Sequence, residues 1–355
     1  MRLNDLDYPR QGAAWLSEAC CERPDGLVCP RPIDASGVDG PTRHQAAGPR
    51  FRQTSPGLYV PVDVDASVVE QRILEQGMRI RRHGAVTGWA ALRWRGARYF
   101  AGVDADGNVL PVPLVVGLAK LREDPRVDLS QAQIAPTEYT IIGGIRCATV
   151  QRALFDEMRT RSGVRAATVA LEKATAAGLI SVGLMSRYVV ERSAWTGVQQ
   201  VRDALALGSN HSRSPQETLM RLVWELDAGL PRPRCNVPVF SISGRLIGYP
   251  DLLDVELGVV GEYDGAAHKH RKRHRKDVAR EQDFRNHGLE YFTVVGGDLT
   301  NRSEVAKRMH DARSRARAAG RVQRWTLTPP PWWVAEEDLD HYLLRVGLAP
   351  YLIRC

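Results

Sequence analysis

Paired cysteines are missing from this chain. Its six, at positions 20, 21, 29, 147, 235 and 355, form no CxxC spacing, which argues against a zinc ribbon and against a disulfide-stapled secreted scaffold. They read as free thiols. Long hydrophobic runs are missing too. The longest, VLPVPLVVGLA, is broken by two prolines and too short to span a bilayer. The opening MRLNDLDYPRQGAAWL carries charges where a signal peptide would be apolar, so the expectation is a cytoplasmic protein with no membrane partner. No internal repeat and no Gly-rich phosphate loop occurs, which argues against ATP hydrolysis. Lysine is scarce as well. Of only six, three fall at 269, 272 and 276.

What is abundant is positive charge. Forty-nine Lys and Arg stand against 41 Asp and Glu, a formal +8 with a pI near 9.3. The densest stretch is HKHRKRHRKDVAR, residues 268–280, with seven Lys or Arg and one Asp. A second basic concentration follows at 302–324. Such runs are often solvated helix faces or localisation signals. Beside a site that handles phosphates, the first one reads as a polyanion contact made by Lys269, Arg271, Lys272, Arg273, Arg275, Lys276 and Arg280.

Such a site is suggested directly upstream, in GRLIGYPDLLDVELGVVGEYDG, residues 244–265. RLIGYPD and GVVGEYD have the apolar and β-branched content of two strands, and LDVELG between them reads as a turn. Alternation puts Val260, Glu262 and Asp264 on one face and Val259, Gly261 and Tyr263 on the other. Asp251 can sit opposite them. Three converging carboxylates need protons or a cation, and all-oxygen ligation suits Mg²⁺ or Mn²⁺. Plain structural roles compete with this: Asp251 as a turn residue and Glu262 on an edge strand. Glu217 has a structural role open to it as well, since SPQE at 214–217 is a helix start with Pro at the first position and a capping box.

On these residues the chain resembles the PD-(D/E)XK nucleases, through Pro250, Asp251 and Glu262, with Asp264 standing where that pattern has Lys. It is also similar to the endonuclease-like domain related to very-short-patch-repair nucleases, whose Glu-x-Asp-Gly-x-x-His signature is matched by Glu262, Asp264, Gly265 and His268. Asp277 and Arg280 look like the Asp and Arg of its following helix. The resemblance spans about 211–300. It implies a restriction-endonuclease-like fold and Mg²⁺ or Mn²⁺ held by Asp251, Glu262 and Asp264. It also implies that Glu217 approaches the metal and that the activity is cleavage of nucleic acid, DNA first. With Lys absent, His268 is the residue placed to move a proton; His268 and His270 can equally bind phosphate. A non-catalytic regulator or antitoxin that keeps the nuclease fold as a binding platform is the competing reading.

The rest of the chain is expected to form further α+β or α/β domains. Residues 1–40 read as an irregular extension. Residues 41–63 carry a Thr42–Gln45 capping signal, a short helix and a strand near 58–61. Gly57 and Tyr59 there resemble the end of the winged helix that opens AbiEi-like antitoxins, so a partial winged helix is expected, with a toxin as the partner that the resemblance implies. Residues 64–208 are expected as a helix-rich α+β domain, with Trp89 and Trp94 in its core, strands at 110–116 and 139–147, and then three or four helices. They are similar to the middle region of AbiEi-like proteins, and Arg152 and Asp156 match an Arg and an Asp of it. An ordinary i,i+4 ion pair explains that couple. Residues 211–325 are expected as a mixed sheet flanked by helices: helix 215–228, strands near 236–242, 245–251 and 258–264, helix 271–287, strand 290–295 and helix 300–320. Residues 326–355 read as a Pro-rich linker carrying Trp332 and Trp333, followed by a short amphipathic tail.

Overall fold

A computed structural model describes residues 16–80, 84–265, 271–320 and 322–348, with the backbone alone at 16–17 and 271–277. The chain is a mixed α and β protein with small open sheets, and it divides into two compact units, 1–205 with 339–355 and 206–338. Among the described residues no helix is long and apolar enough to cross a membrane. Among the described cysteines, Cys29 and Cys147 are free thiols, as their spacing suggests.

The first unit is built on a five-stranded sheet in the order Val127–Ser130, Val112–Val115, Ala85–Val86, Ile145–Ala148, Tyr139–Ile142. The apolar run at 139–147 is a hairpin and not one strand, because Gly143 and Gly144 both take the left-handed conformation that closes a tight turn. Helix Val150–Thr160 starts where the Thr149 hydroxyl accepts from the Arg152 amide, and it buries Leu154, Phe155 and Met158 along one side. Trp89 and Trp94 lie in the same core, as expected. Further upstream, Thr42 and Gln45 form the capping box of helix Arg43–Ala47, and Phe51–Ser55 pairs with Leu58–Pro61 as a two-stranded hairpin. The tail is not a separate appendage. Helix Leu339–Arg345 places Leu339, Tyr342 and Leu343 in the first unit's core.

In the second unit the expected single mixed sheet is two three-stranded sheets. The stretch 245–251 does not form one strand. Leu246–Gly248 pairs with Val239–Ser241 in one sheet, and Leu252–Asp254 joins the other. The break falls at Tyr249–Pro250, where proline lacks the N–H that a continuing ladder would use. The hairpin that matters therefore runs Leu252–Asp254, a turn at 255–258, and Val259–Asp264. Val259–Asp264 is central, since Glu290–Val295 lies parallel on its other side.

This central strand separates two apolar clusters, as its alternation demands. Leu252 and Val259 pack with Met220, Trp224, Phe292, Val305 and Met309, beneath helices Pro215–Leu222 and Arg302–Ala318. Leu253 and Val260 pack with Phe284, Tyr291 and Trp325 on the side of helix Arg271–Asn286. Gly261 is required where it stands: a Cβ there would lie 2.4 Å from the Phe292 ring, which stacks on Trp224 with centroids 6.2 Å apart.

Candidate functional site

Antiparallel pairing of Leu252 with Gly261 and Leu253 with Val260, continued by one residue, sets Asp251 opposite Glu262. Directly opposed residues point to the same face. Here it is the face of Leu253 and Val260, which helix Arg271–Asn286 covers through Phe284. The Asp251 carboxylate accepts the Tyr263 amide at 2.8 Å. Glu262 lies 2.9 Å from the Arg280 guanidinium, and Arg280 also donates to the Tyr249 carbonyl. The basic helix is thus fastened to the acid pair at its described end.

The third acid, Glu217, sits in the first turn of helix Pro215–Leu222. Its amide donates to the Ser214 hydroxyl at 3.2 Å, as an N-cap requires. The reciprocal bond of a capping box does not go to Ser214: the Glu217 carboxylate accepts from the Arg213 amide at 2.9 Å and from the Asn236 side chain at 2.8 Å. Glu217 therefore caps its helix and also stands within electrostatic reach of Asp251. Burial, with Glu217's negative charge next, pushes the Asp251 carboxyl up to about 7, against the Tyr263 amide and the charges of Arg280 and Arg213. Burial and the charge of Glu262 likewise raise the Tyr291 phenol.

Asp264 is placed differently. It ends the central strand, half-buried and in register with Val295. After burial, its charge and that of Asp298 raise the Tyr263 phenol. His268, Lys269 and His270 lie outside the described residues, and for Arg271, Lys272, Arg273, Arg275, Lys276 and Asp277 only the helical backbone is described. Arg280, expected among the phosphate contacts, turns inward to Glu262. In the second basic concentration, Arg308 pairs with Asp298 at 2.8 Å, Arg313 with Asp254 at 2.8 Å and Arg315 with Glu290 at 3.0 Å. Those arginines tie helix to sheet.

Among the described residues, no three His, Cys, Asp or Glu side chains are grouped closely enough to cage a metal ion. The donor chemistry at Asp251 and Glu262 still fits Mg²⁺, which binds through one or two carboxylates together with water and substrate phosphate and rarely through a complete protein cage. Sequence reasoning missed Arg213, Asn236 and Tyr249 as parts of the site. Asn236 left the one faint trace. It has a φ of 51°, a conformation that Asn tolerates better than most residues, and from there it bridges Glu217 and, through its amide, the Pro250 carbonyl at 2.9 Å.

No family model, no curated protein and no solved structure matches this chain.

Proposed function

We propose that the second unit is a metal-dependent endonuclease-like domain hydrolysing phosphodiester bonds of nucleic acid, DNA first. The observation that carries this reading is the placement of Asp251 and Glu262 opposite each other, on the face from which the basic helix is fastened by Arg280. A bound Mg²⁺ or Mn²⁺ would lower the pKa of its water and shield the phosphate charge. Asp251 and Glu262 would hold it. The Tyr263 amide fixes the orientation of Asp251, while Glu217 adds the negative charge that makes the pair take up a proton or a cation. Basic residues 269–276 would receive the polyanion. Asp264 and His268 are assigned to water and proton handling on the sequence pattern.

One observation favours a second reading. Glu262 already has a cation beside it in Arg280, and Asp264 occupies the place of the usual Lys, as suits a nuclease fold kept as a nucleic-acid platform in a regulator or antitoxin.

Supercoiled DNA incubated with Mg²⁺, with Mn²⁺ and with excess chelator separates the two. The wild type is expected to nick only with metal, and Asp251→Asn and Glu262→Gln are expected to be inactive while still melting cooperatively, at temperatures no lower than the wild type's. Cleavage that persists in chelator or in both variants would falsify the metal assignment. DNA binding without cleavage by the wild type establishes the platform reading.

A further inference from the structure

An aromatic chain leads from the acid pair to the surface. The Tyr249 carbonyl accepts from Arg280, so this residue adjoins Glu262. It stands two residues before Asp251, about 7 Å of extended chain. Its ring lies 6.3 Å from that of Trp333 and under the Arg213 guanidinium at 5.2 Å. Trp333 in turn contacts Phe240 at 5.0 Å and Trp332 at 5.7 Å. Phe240 is fully buried and anchors the group, whereas Trp332 is 61% exposed. Trp332 meets Trp333 and Phe240 at 73° and 83°, so among the described residues neither ring neighbour stacks parallel to it.

An indole held at its edges and left in water is unusual. Burial of a ring this size is a large favourable term, and nearby Phe240 and Trp325 are buried. The sequence explains how Trp332 is held out. It follows three prolines at 329–331, whose fixed φ leaves the segment few ways to fold back. The Trp333 amide bonds to the Pro330 carbonyl at 2.9 Å, and the ring's nitrogen edge stands over Gly244. Rigid exposed aromatics beside cations are how single-stranded nucleic acid is gripped: each base has a face to stack, and the backbone follows positive charge. Arg213 and Arg280 line this route, with Arg280 paired to Glu262 and Glu336 bonded to the Tyr249 hydroxyl, and the densest basic run of the sequence leads into helix Arg271–Asn286.

We propose that Trp332 is a stacking platform for an unpaired base, and that the nucleic acid presented to Asp251 and Glu262 is a single strand or a frayed end. This rests on the nuclease-fold reading of that acid pair. The test measures binding of a fluorescent oligothymidine and of a fully paired duplex of equal length to the full chain in excess chelator, where cleavage plays no part. The wild type is expected to prefer the single strand. Trp332→Ala should weaken single-strand binding roughly tenfold, the loss of one stacked base, and leave duplex binding unchanged, while Trp332→Phe should keep most of the affinity. The platform is overturned if Trp332→Ala binds the single strand like wild type, if both substrates lose affinity alike, or if Trp332→Phe is as weak as Trp332→Ala. A wild type that favours duplex also overturns it and leaves the exposed Trp332 as a face for a protein partner. Binding in chelator does not depend on catalysis. Absence of nicking with an intact Trp332 effect therefore counts against the nuclease alone, and nicking with no Trp332 effect counts against the platform alone.

Discussion

Glu138 in the first unit and Asp251 in the second are both carboxylates enclosed by protein, yet their affinities for a proton move in opposite directions. Burial pushes Glu138 up, but hydrogen bonds from Tyr188 and Arg192 and the charge of Arg152 outweigh it and hold the group below its ordinary range. Its partners are close: the Tyr188 hydroxyl at 2.7 Å, Arg192 at 2.8 Å and Arg152 at 3.0 Å. At Asp251 one amide and the charges of Arg280 and Arg213 do not offset burial and the charge of Glu217, and its carboxyl rises. A network of mutually paired charges holds a fold together. A carboxyl enclosed beside a like charge holds a proton more tightly.

The sharpest way to break the comparison is to open the closed network. Arg152 is fully buried, donates to Asp156 at 2.9 Å and to the Gln133 carbonyl at 2.7 Å, and lies over the Trp195 ring at 4.8 Å. That is the ion pair expected from the spacing of Arg152 and Asp156, set inside a larger web. Arg152→Ala should destabilise the first unit by about 2–5 kcal/mol, because it empties the space beneath the Trp195 ring and takes one of two cations from each of two acids, leaving Glu138 with Arg192 and Asp156 with Arg159. Denaturant unfolding would read the loss. A cost near that of an exposed ion pair would mean that water repairs the gap and that the network is less closed than its distances say.

The second test acts on the open site and has the opposite sign. With its folded value raised to about 7, Asp251 favours the native state most below its unfolded value of about 4, and that contribution is lost as pH rises towards 7. Without divalent metal, Asp251→Asn should therefore be more stable than wild type at pH 8, on the order of a few kcal/mol, with the two converging near pH 4. Thermal melts across pH 4–8 in chelator check this. Equal stability at pH 8 would place Asp251 in water and remove the driving force for cation uptake.

The Arg152–Asp156 pair and part of the second unit could be read from the residues, the Glu138 network could not, and the physical reasons are specific. Alternation along Val259–Asp264 assigned its two faces correctly, since Val259 and Val260 enter different clusters. The Ser214–Pro215 start of its helix was legible from capping chemistry alone. The strand end before Pro250 is signalled by that proline's missing N–H alone, and the apolar Leu246, Ile247 and Tyr249 leading up to it read as a strand that runs on. The docking of Leu339, Tyr342 and Leu343 into the first unit was not legible: a short amphipathic helix shows that it has an apolar face, not which core will cover it. Arg213 and Asn236 carry no motif. Arg213 reaches Glu217 locally, four residues upstream and through its main-chain amide, which no side-chain pattern reports, and Asn236 reaches it from a segment that only the tertiary fold brings close.

The smallest expected effect isolates what Glu217 adds to the open site. Glu217→Gln keeps an oxygen that can accept from the Arg213 amide and the Asn236 side chain, so the helix cap should survive and stability should change little. What disappears is the negative charge that, after burial, does most to raise the Asp251 carboxyl. Removing repulsion lets Asp251 ionise at lower pH, so its titration midpoint should fall, by about one unit for a single partly screened neighbour. Carboxyl carbon resonances followed across pH 4–9 in chelator would report that midpoint directly. The sign is what discriminates. A midpoint that stays near 7 would leave burial alone as the cause and make Glu217 purely a capping residue, whereas a fall accompanied by weaker Mn²⁺ binding would place its charge in the cation site.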